Sequence, residues 1–89
     1  MLLCELNRET AATREQLHQT LARDLDLPEY YGANLDALYD VLTAETRPVK
    51  LRLQPEQLWQ TLGDYAEVLL RLCLEAAAQN PALQVELED

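Results

Sequence analysis

LPEYYGANLDALYDVLT, residues 27–43, is the stretch that decides how the rest of the chain is read. Two tyrosines meet Gly32, then Asn34, then a short helical pattern with two unlike faces. At 3.6 residues per turn, Leu35, Leu38, Val41 and Leu42 share one side, as a core-facing helix requires. Asp36, Tyr39, Asp40 and Thr43 share the other, within an arc of roughly 100°. An ordinary solvated face alternates acids and bases four residues apart. Here two acids stand four apart with no base between them, which costs a few tenths of a kcal/mol in an isolated helix. Asp36 lies in the first turn, where the helix dipole favours an acid. Asp40 has no such excuse, and Asp is a poor residue for a helix interior. Binding explains its presence better than helix stability does.

Upstream, Leu2, Leu3, Cys4 and Leu6 read as a short buried strand closed by Asn7. Thr13 and Gln16 fit a capping box, and Leu17, Leu21 and Leu25 continue at helical spacing, predicting a helix from Thr13 to Leu25. His18 beside this stripe reads as a structural or surface residue. Pro28 stops the helix, Gly32 allows a sharp turn, and Asn34 is a good N-cap for the next helix. Of Tyr30 and Tyr31, one is expected in the core and one at the surface.

Downstream, Val49, Leu51 and Leu53 alternate with Lys50 and Arg52, a strand with one exposed face that suits a sheet edge. Pro55 opens a third helix with Leu58, Trp59 and Leu62 inward, and Gly63 ends it. Asp64, with Glu67 three residues on, is expected to cap a fourth helix that Asn80-Pro81 terminates. Leu83, Val85 and Leu87 alternate with polar residues in a last strand. Long helical crossovers between short strands predict an α/β fold, a small three-stranded parallel sheet packed with about four helices, in one domain spanning residues 1–89.

The chain has 7 basic and 16 acidic residues, a formal net charge of −9. That balance argues against direct nucleic-acid binding and against anionic membranes, and favours a basic protein partner. MLLCELNRET, the first ten residues, is neither a signal peptide nor a membrane span, so a cytoplasmic, reducing setting is the default expectation. Cys4 and Cys73 stand in apolar surroundings and read as buried free thiols. Two distant cysteines and one histidine do not make a zinc site, so no metal or cofactor is expected. The chain has no serine and only two glycines, which removes the serine-nucleophile and phosphate-loop motifs. A carboxylate pair one helical turn apart on an exposed face implies no catalytic cleft, so the chain is read as a non-enzyme. Tyrosine and aspartate on one face suit an interface instead. Glu75, near the end of the fourth helix, is a second acid that the helix dipole disfavours.

Leu17-His18-Gln19-Thr20-Leu21, Leu27 to Gly32, Asn34 to Leu38 and Asp40 together resemble the barstar family, intracellular inhibitors of the ribonuclease barnase. The match is dense from Leu17 to Thr43 and returns at Pro48 and at Glu75-Ala76. The resemblance implies a three-stranded parallel sheet with four principal helices. It further implies that the second helix and its preceding loop plug a ribonuclease active site, with acids standing in for RNA phosphates. On that reading Asp40 is the central acid, Asp36 a second, and Tyr30 the aromatic that packs on the catalytic histidine. Asn34, Tyr39 and Thr43 match further contact positions, and Glu75 the outlying acid. The implied partner is a basic extracellular or toxin ribonuclease, met by a monomeric inhibitor, as in bacterial immunity.

The chain departs from the family pattern in several places. Tyr39 replaces a tryptophan, the loop after Thr43 is one residue shorter with Ala44-Glu45 in place of Gly-Trp, Gln79 replaces an acid, and Cys4 and Cys73 are new positions. Rim contacts with the cognate enzyme are therefore expected to differ. Pro48 aligns with a family cis-proline, which implies a cis Arg47–Pro48 bond. The residues alone leave a second reading open, an acidic module that binds another basic protein such as a different nuclease toxin or a regulator.

Overall fold

The computed structural model describes residues 1–88. The elements run β1 (Leu2–Leu6), α1 (Arg14–Asp24), α2 (Leu35–Ala44), β2 (Val49–Leu53), α3 (Pro55–Leu62), α4 (Asp64–Gln79) and β3 (Leu83–Leu87). The three strands form one parallel sheet in the order β1-β2-β3, with Cys4, Leu51 and Val85 in register across it. Parallel neighbours need long crossovers. The α1–α2 pair provides one and the α3–α4 pair the other.

β2 is the central strand, not an edge. Its alternation reports an open face of the sheet, while its backbone is paired on both sides. Val49, Leu51 and Leu53 point into the core. Lys50 and Arg52 lie across the other face, where Lys50 Nζ is 2.8 Å from Glu86 and Arg52 Nε 3.3 Å from the same carboxylate. Arg52 also reaches Glu5 at 3.8 Å and Glu88 at 3.4 Å. Glu5, Arg52 and Glu86 are direct cross-strand neighbours. Such surface pairs contribute little stability each. They do favour this register, since a one-residue slip would turn Lys50 and Arg52 into the core.

The helix ends follow from local chemistry. Thr13 Oγ1 accepts the Gln16 N–H at 3.0 Å, and Gln16 Oε1 accepts the Ala12 N–H, one residue before the usual capping-box position. Asn34 Oδ1 accepts the Ala37 N–H at 2.8 Å and starts α2. Gly63, at φ +60°, ends α3 and also occupies the N-cap of α4. Asp64 is thus the first helical residue rather than the cap, a position where the dipole suits an acid. Trp59 is 44 % exposed, against the inward placement expected from sequence. Leu58 and Leu62, four apart, take the core face, and one step of about 100° turns Trp59 outward.

No peptide bond among the described residues is cis, so Arg47–Pro48 is trans, unlike the family expectation. The short loop closes by another route. Glu45 Oε1 accepts from the Thr46 and Arg47 N–H groups, and the Arg47 guanidinium clasps the same carboxylate while donating to Leu25 O at 2.9 Å.

The core lies between the sheet and the helices and is dominated by leucine: Leu6, Leu17, Leu21, Leu38, Leu42, Leu51, Leu53, Leu58 and Leu69 are fully buried. Cys4 and Cys73 are buried free thiols within it. Burial pushes the Cys73 thiol up to about 12, which keeps it protonated and unreactive at neutral pH.

Candidate protein-binding surface

α1 unwinds through Leu25, and Asp26 takes a left-handed conformation at φ +51°. The Leu27 N–H closes the helix end on Ala22 O at 2.9 Å. Pro28 then begins a turn in which the Tyr31 N–H donates to Pro28 O at 2.9 Å. Successive side chains of this loop part company. Tyr30 is 88 % exposed, while Tyr31 packs on the core. The Tyr31 hydroxyl lies 2.6 Å from His18 Nδ1, and His18 Nε2 lies 2.8 Å from the Tyr65 hydroxyl. Both the split of the two tyrosines and the structural role of His18 match the expectation from sequence.

Gly32, expected to allow a sharp turn, contributes something further. The positive φ falls on Ala33, at +52°, and not on Gly32. What Gly32 contributes is a missing side chain. A Cβ there would stand 3.2 Å from Asn34 Nδ2 and 3.4 Å from Ala37 Cβ. The close approach lets Asn34 work in two directions, its Oδ1 capping α2 and its Nδ2 donating to Gly32 O at 3.2 Å. Loop and helix are thereby joined through one side chain.

Leu38 and Leu42 hold α2 to the core, and its other face lies open. Asp36, Tyr39 and Asp40 face Val68, Arg71, Leu72 and Glu75 of α4 across a groove of about 530 Å³. Asp36, Asp40 and Glu75 are all exposed, and among the described residues no ion pair engages any of their carboxylates. The seven basic residues are occupied elsewhere. Arg8 donates to Gln60, Arg14 stacks over Tyr65, Arg23 pairs with Asp24 and Arg47 with Glu45. Lys50 and Arg52 serve the sheet face. Even Arg71, inside the groove, pairs at 3.3 Å with Glu67 one turn back on its own helix. The result is a face whose three acids have no ion-pair partner among the described residues. Thr43 sits half-buried at its end, and its hydroxyl donates back to Tyr39 O at 2.9 Å and Asp40 O at 3.2 Å.

One buried residue, read from sequence only as a helix stop, fixes this face. Asn80 is 7 % exposed, and its Nδ2 donates to Leu42 O at 2.9 Å and Glu45 O at 2.7 Å. Its Oδ1 accepts the Ala82 N–H at 3.0 Å. A side chain at the end of α4 thus caps the last carbonyls of α2, which helix geometry leaves unpaired.

Comparison with known proteins gives the family. The family described as Barstar (barnase inhibitor) matches residues 1–88. The chain belongs to the barstar family. It is also similar to a protein of Bacillus subtilis (strain 168) described as "Putative ribonuclease inhibitor YrdF", 43 % identical over 77 residues, which is 84 % of this chain and 77 % of that relative.

In this barstar-family chain, the residues singled out from sequence fall into two groups. Tyr30, Asn34, Asp36, Tyr39, Asp40 and Thr43 follow one another from the loop along the outer face of α2. Glu75 joins them from α4, across the groove. Two of them are already committed inside the fold: Asn34 through both ends of its amide, and Thr43 through its hydroxyl. Among the described residues, the side chains of Tyr30, Asp36, Asp40 and Glu75 make no such internal bond. Among the described residues no cluster of His, Cys, Asp and Glu could hold a metal ion, and no helix is long and apolar enough to cross a membrane.

Proposed function

We propose that this barstar-family chain inhibits a basic ribonuclease of the barnase type by inserting the loop before α2 and the acidic face of α2 into the enzyme's active site. The observation that carries the reading is the acidic face itself. Asp36, Asp40 and Glu75 stand exposed with no ion pair among the described residues, and Arg71, the one base lining their groove, pairs with Glu67 instead. Leaving like charges bare costs stability and favours a partner that supplies the missing cations. A ribonuclease cleft does so, because it must hold RNA phosphates with arginine, lysine and histidine groups.

In this mechanism Asp40 takes the place of a phosphate at the centre of the cleft, and Asp36 a neighbouring one. Tyr30 lays its ring on the catalytic histidine. Asn34, Tyr39 and Thr43 line the contact, and Glu75 adds an acid at the rim. Buried helix leucines below and Asn80 behind keep the face rigid, so little order has to be gained on binding. The net charge of −9 steers the approach of a basic enzyme and makes association slower at high salt. The chain acts as a monomer, by occlusion, and carries out no reaction of its own.

The test is a titration of the protein into an RNA-cleavage assay with barnase, repeated with Asp40→Ala. Inhibition by the wild-type protein at one-to-one stoichiometry is expected. Loss of at least two charge-assisted hydrogen bonds weakens Asp40→Ala by about 3 kcal/mol or more, roughly 150-fold. If the wild-type chain inhibits no microbial ribonuclease but binds another basic protein from its native host, the chain is an acidic interaction module with a different target.

A further inference from the structure

We infer that His18 is a positioning residue for inhibition: held between Tyr31 and Tyr65, it fixes the loop that presents Tyr30. The inference rests on the ribonuclease-inhibitor reading above and extends it to a residue remote from the proposed interface. The loop needs such an anchor. Between Leu27 and Asn34 its one backbone–backbone bond among the described residues is Tyr31 N–H to Pro28 O, beside the Asn34 side-chain bond to Gly32 O, and both ends pass through left-handed non-glycine residues, Asp26 and Ala33. Tyr31 is the side chain that ties the middle of the loop to a helix, through its hydroxyl on His18.

The chemistry of the ring fits the task. His18 is 4 % exposed and both its nitrogens are in use. A neutral imidazole has one donor and one acceptor, and two tyrosine hydroxyls on opposite sides satisfy both without remainder. The second hydroxyl belongs to Tyr65 of α4, whose ring lies under the Arg14 guanidinium at 4.3 Å. Arg14 of α1, Tyr65 of α4, His18 of α1 and Tyr31 of the loop thus form a continuous path that lines a cleft of about 850 Å³. Because Tyr30 adjoins Tyr31, holding the Tyr31 side chain fixes the backbone from which the exposed Tyr30 side chain projects.

Protonation would break this arrangement. An imidazolium donates from both nitrogens, so the tyrosine that had donated must turn its O–H away. No carboxylate among the described residues bonds the ring: Glu15 on α1, Glu29 in the loop and Asp36 on α2 line the same cleft, as does Arg14 on α1. Tyr31 and Tyr65 are neutral, both held above the usual phenol range chiefly by burial, and Cys73 of α4 is a buried neutral thiol. Burial likewise lowers the His18 pKa from its ordinary 6.5, so the ring is neutral at physiological pH.

A double-mutant cycle with barnase tests the assignment. His18→Leu and, separately, Tyr31→Phe are measured for Kd in the wild-type and Tyr30→Ala backgrounds, with thermal melts confirming a folded chain. Tyr31→Phe removes one hydroxyl and keeps the packing, so it serves if His18→Leu does not fold. Each is expected to weaken binding roughly tenfold when Tyr30 is present and hardly at all when it is absent. His18→Gln, which keeps one donor and one acceptor, is expected to restore part of the loss. Equal losses in both backgrounds would overturn the inference, because they would mean a general structural role. Amide exchange in the free protein gives a second readout that needs no ribonuclease. Tyr31→Phe should speed exchange of the Tyr31 amide at least tenfold beyond the change in global stability, and unchanged exchange would overturn the inference. If wild-type protein fails to bind barnase while the exchange result holds, the proposed target is wrong and the positioning role stands.

Discussion

Asn80→Ala should cost this fold about 3 kcal/mol, although the residue lies at a helix end and in no catalytic or contact position. The figure comes from three bonds. Nδ2 donates to Leu42 O and Glu45 O, and Oδ1 accepts the Ala82 N–H. An ordinary protein hydrogen bond contributes about 1 kcal/mol net, and a buried carbonyl left without a donor costs about 1–3 kcal/mol. The Leu42 bond is buried, so its carbonyl falls in the costly class, while the other two are partly reachable by water. For a chain of this size the loss is a large part of a total stability of about 4–13 kcal/mol, and it lowers Tm by roughly 12–24 °C.

Asn80→Asp sharpens the test. It keeps the acceptor for Ala82 but sets a carboxylate oxygen against two carbonyl oxygens. At pH 7 it should therefore be at least as unstable as Asn80→Ala. Facing carbonyls raise the folded-state pKa of that aspartate, so its deficit shrinks as pH falls and the acid protonates. The assay is equilibrium urea unfolding at pH 7 and pH 4, with unchanged m-values as the control. A loss below about 1 kcal/mol for Asn80→Ala, or an Asn80→Asp protein more stable than it at pH 7, would refute the bonding scheme.

Other expectations concern single turns. Gly63→Ala should destabilise by about 1–3 kcal/mol in the same urea assay, purely from backbone strain at φ +60°, ψ −134°, since nothing lies within 4 Å of the added Cβ. Ala33→Gly should change stability by less than about 0.5 kcal/mol, because relief of left-handed strain is offset by a freer unfolded chain, whereas Ala33→Val should cost well over 1 kcal/mol. Glu45→Gln should lose about 1 kcal/mol at pH 7, a low figure because its partner Arg47 is partly exposed. The Arg47 guanidinium depresses the Glu45 carboxyl from 4.5 to about 2, so that contribution is present above pH 4.5 and disappears as pH falls towards 2. Acid titration of wild-type and Glu45→Gln stability checks this, and parallel curves would contradict it.

The elements were legible in the sequence because periodicity and punctuation agreed. Thr13, Asn34, Pro55 and Asn80-Pro81 mark real helix ends, and the leucine spacing gave the buried face of each helix. The errors arose where one local pattern has two structural causes. Charged alternation in Val49–Leu53 describes an open sheet face as well as an edge, and only the cross-strand acids Glu5 and Glu86 distinguish them. Trp59, grouped with Leu58 and Leu62 as inward, is turned out by its position on the helix. Gly32 reads from sequence as allowing a sharp turn, yet the left-handed φ of this loop falls on Ala33, and Gly32 supplies space for Asn34. The acidic face was legible because Asp40 breaks a helix rule. Its supports were not: His18 and Asn80 act through partners 13 to 47 residues away, which no local pattern records.

Competition for the ribonuclease cleft tests the phosphate-mimicry claim most directly. Binding of the wild-type chain to barnase should be mutually exclusive with a guanine mononucleotide, and Asp40→Asn, which keeps shape and removes charge, should bind far more weakly. A ternary complex holding both ligands, or full affinity without the charge, would contradict it.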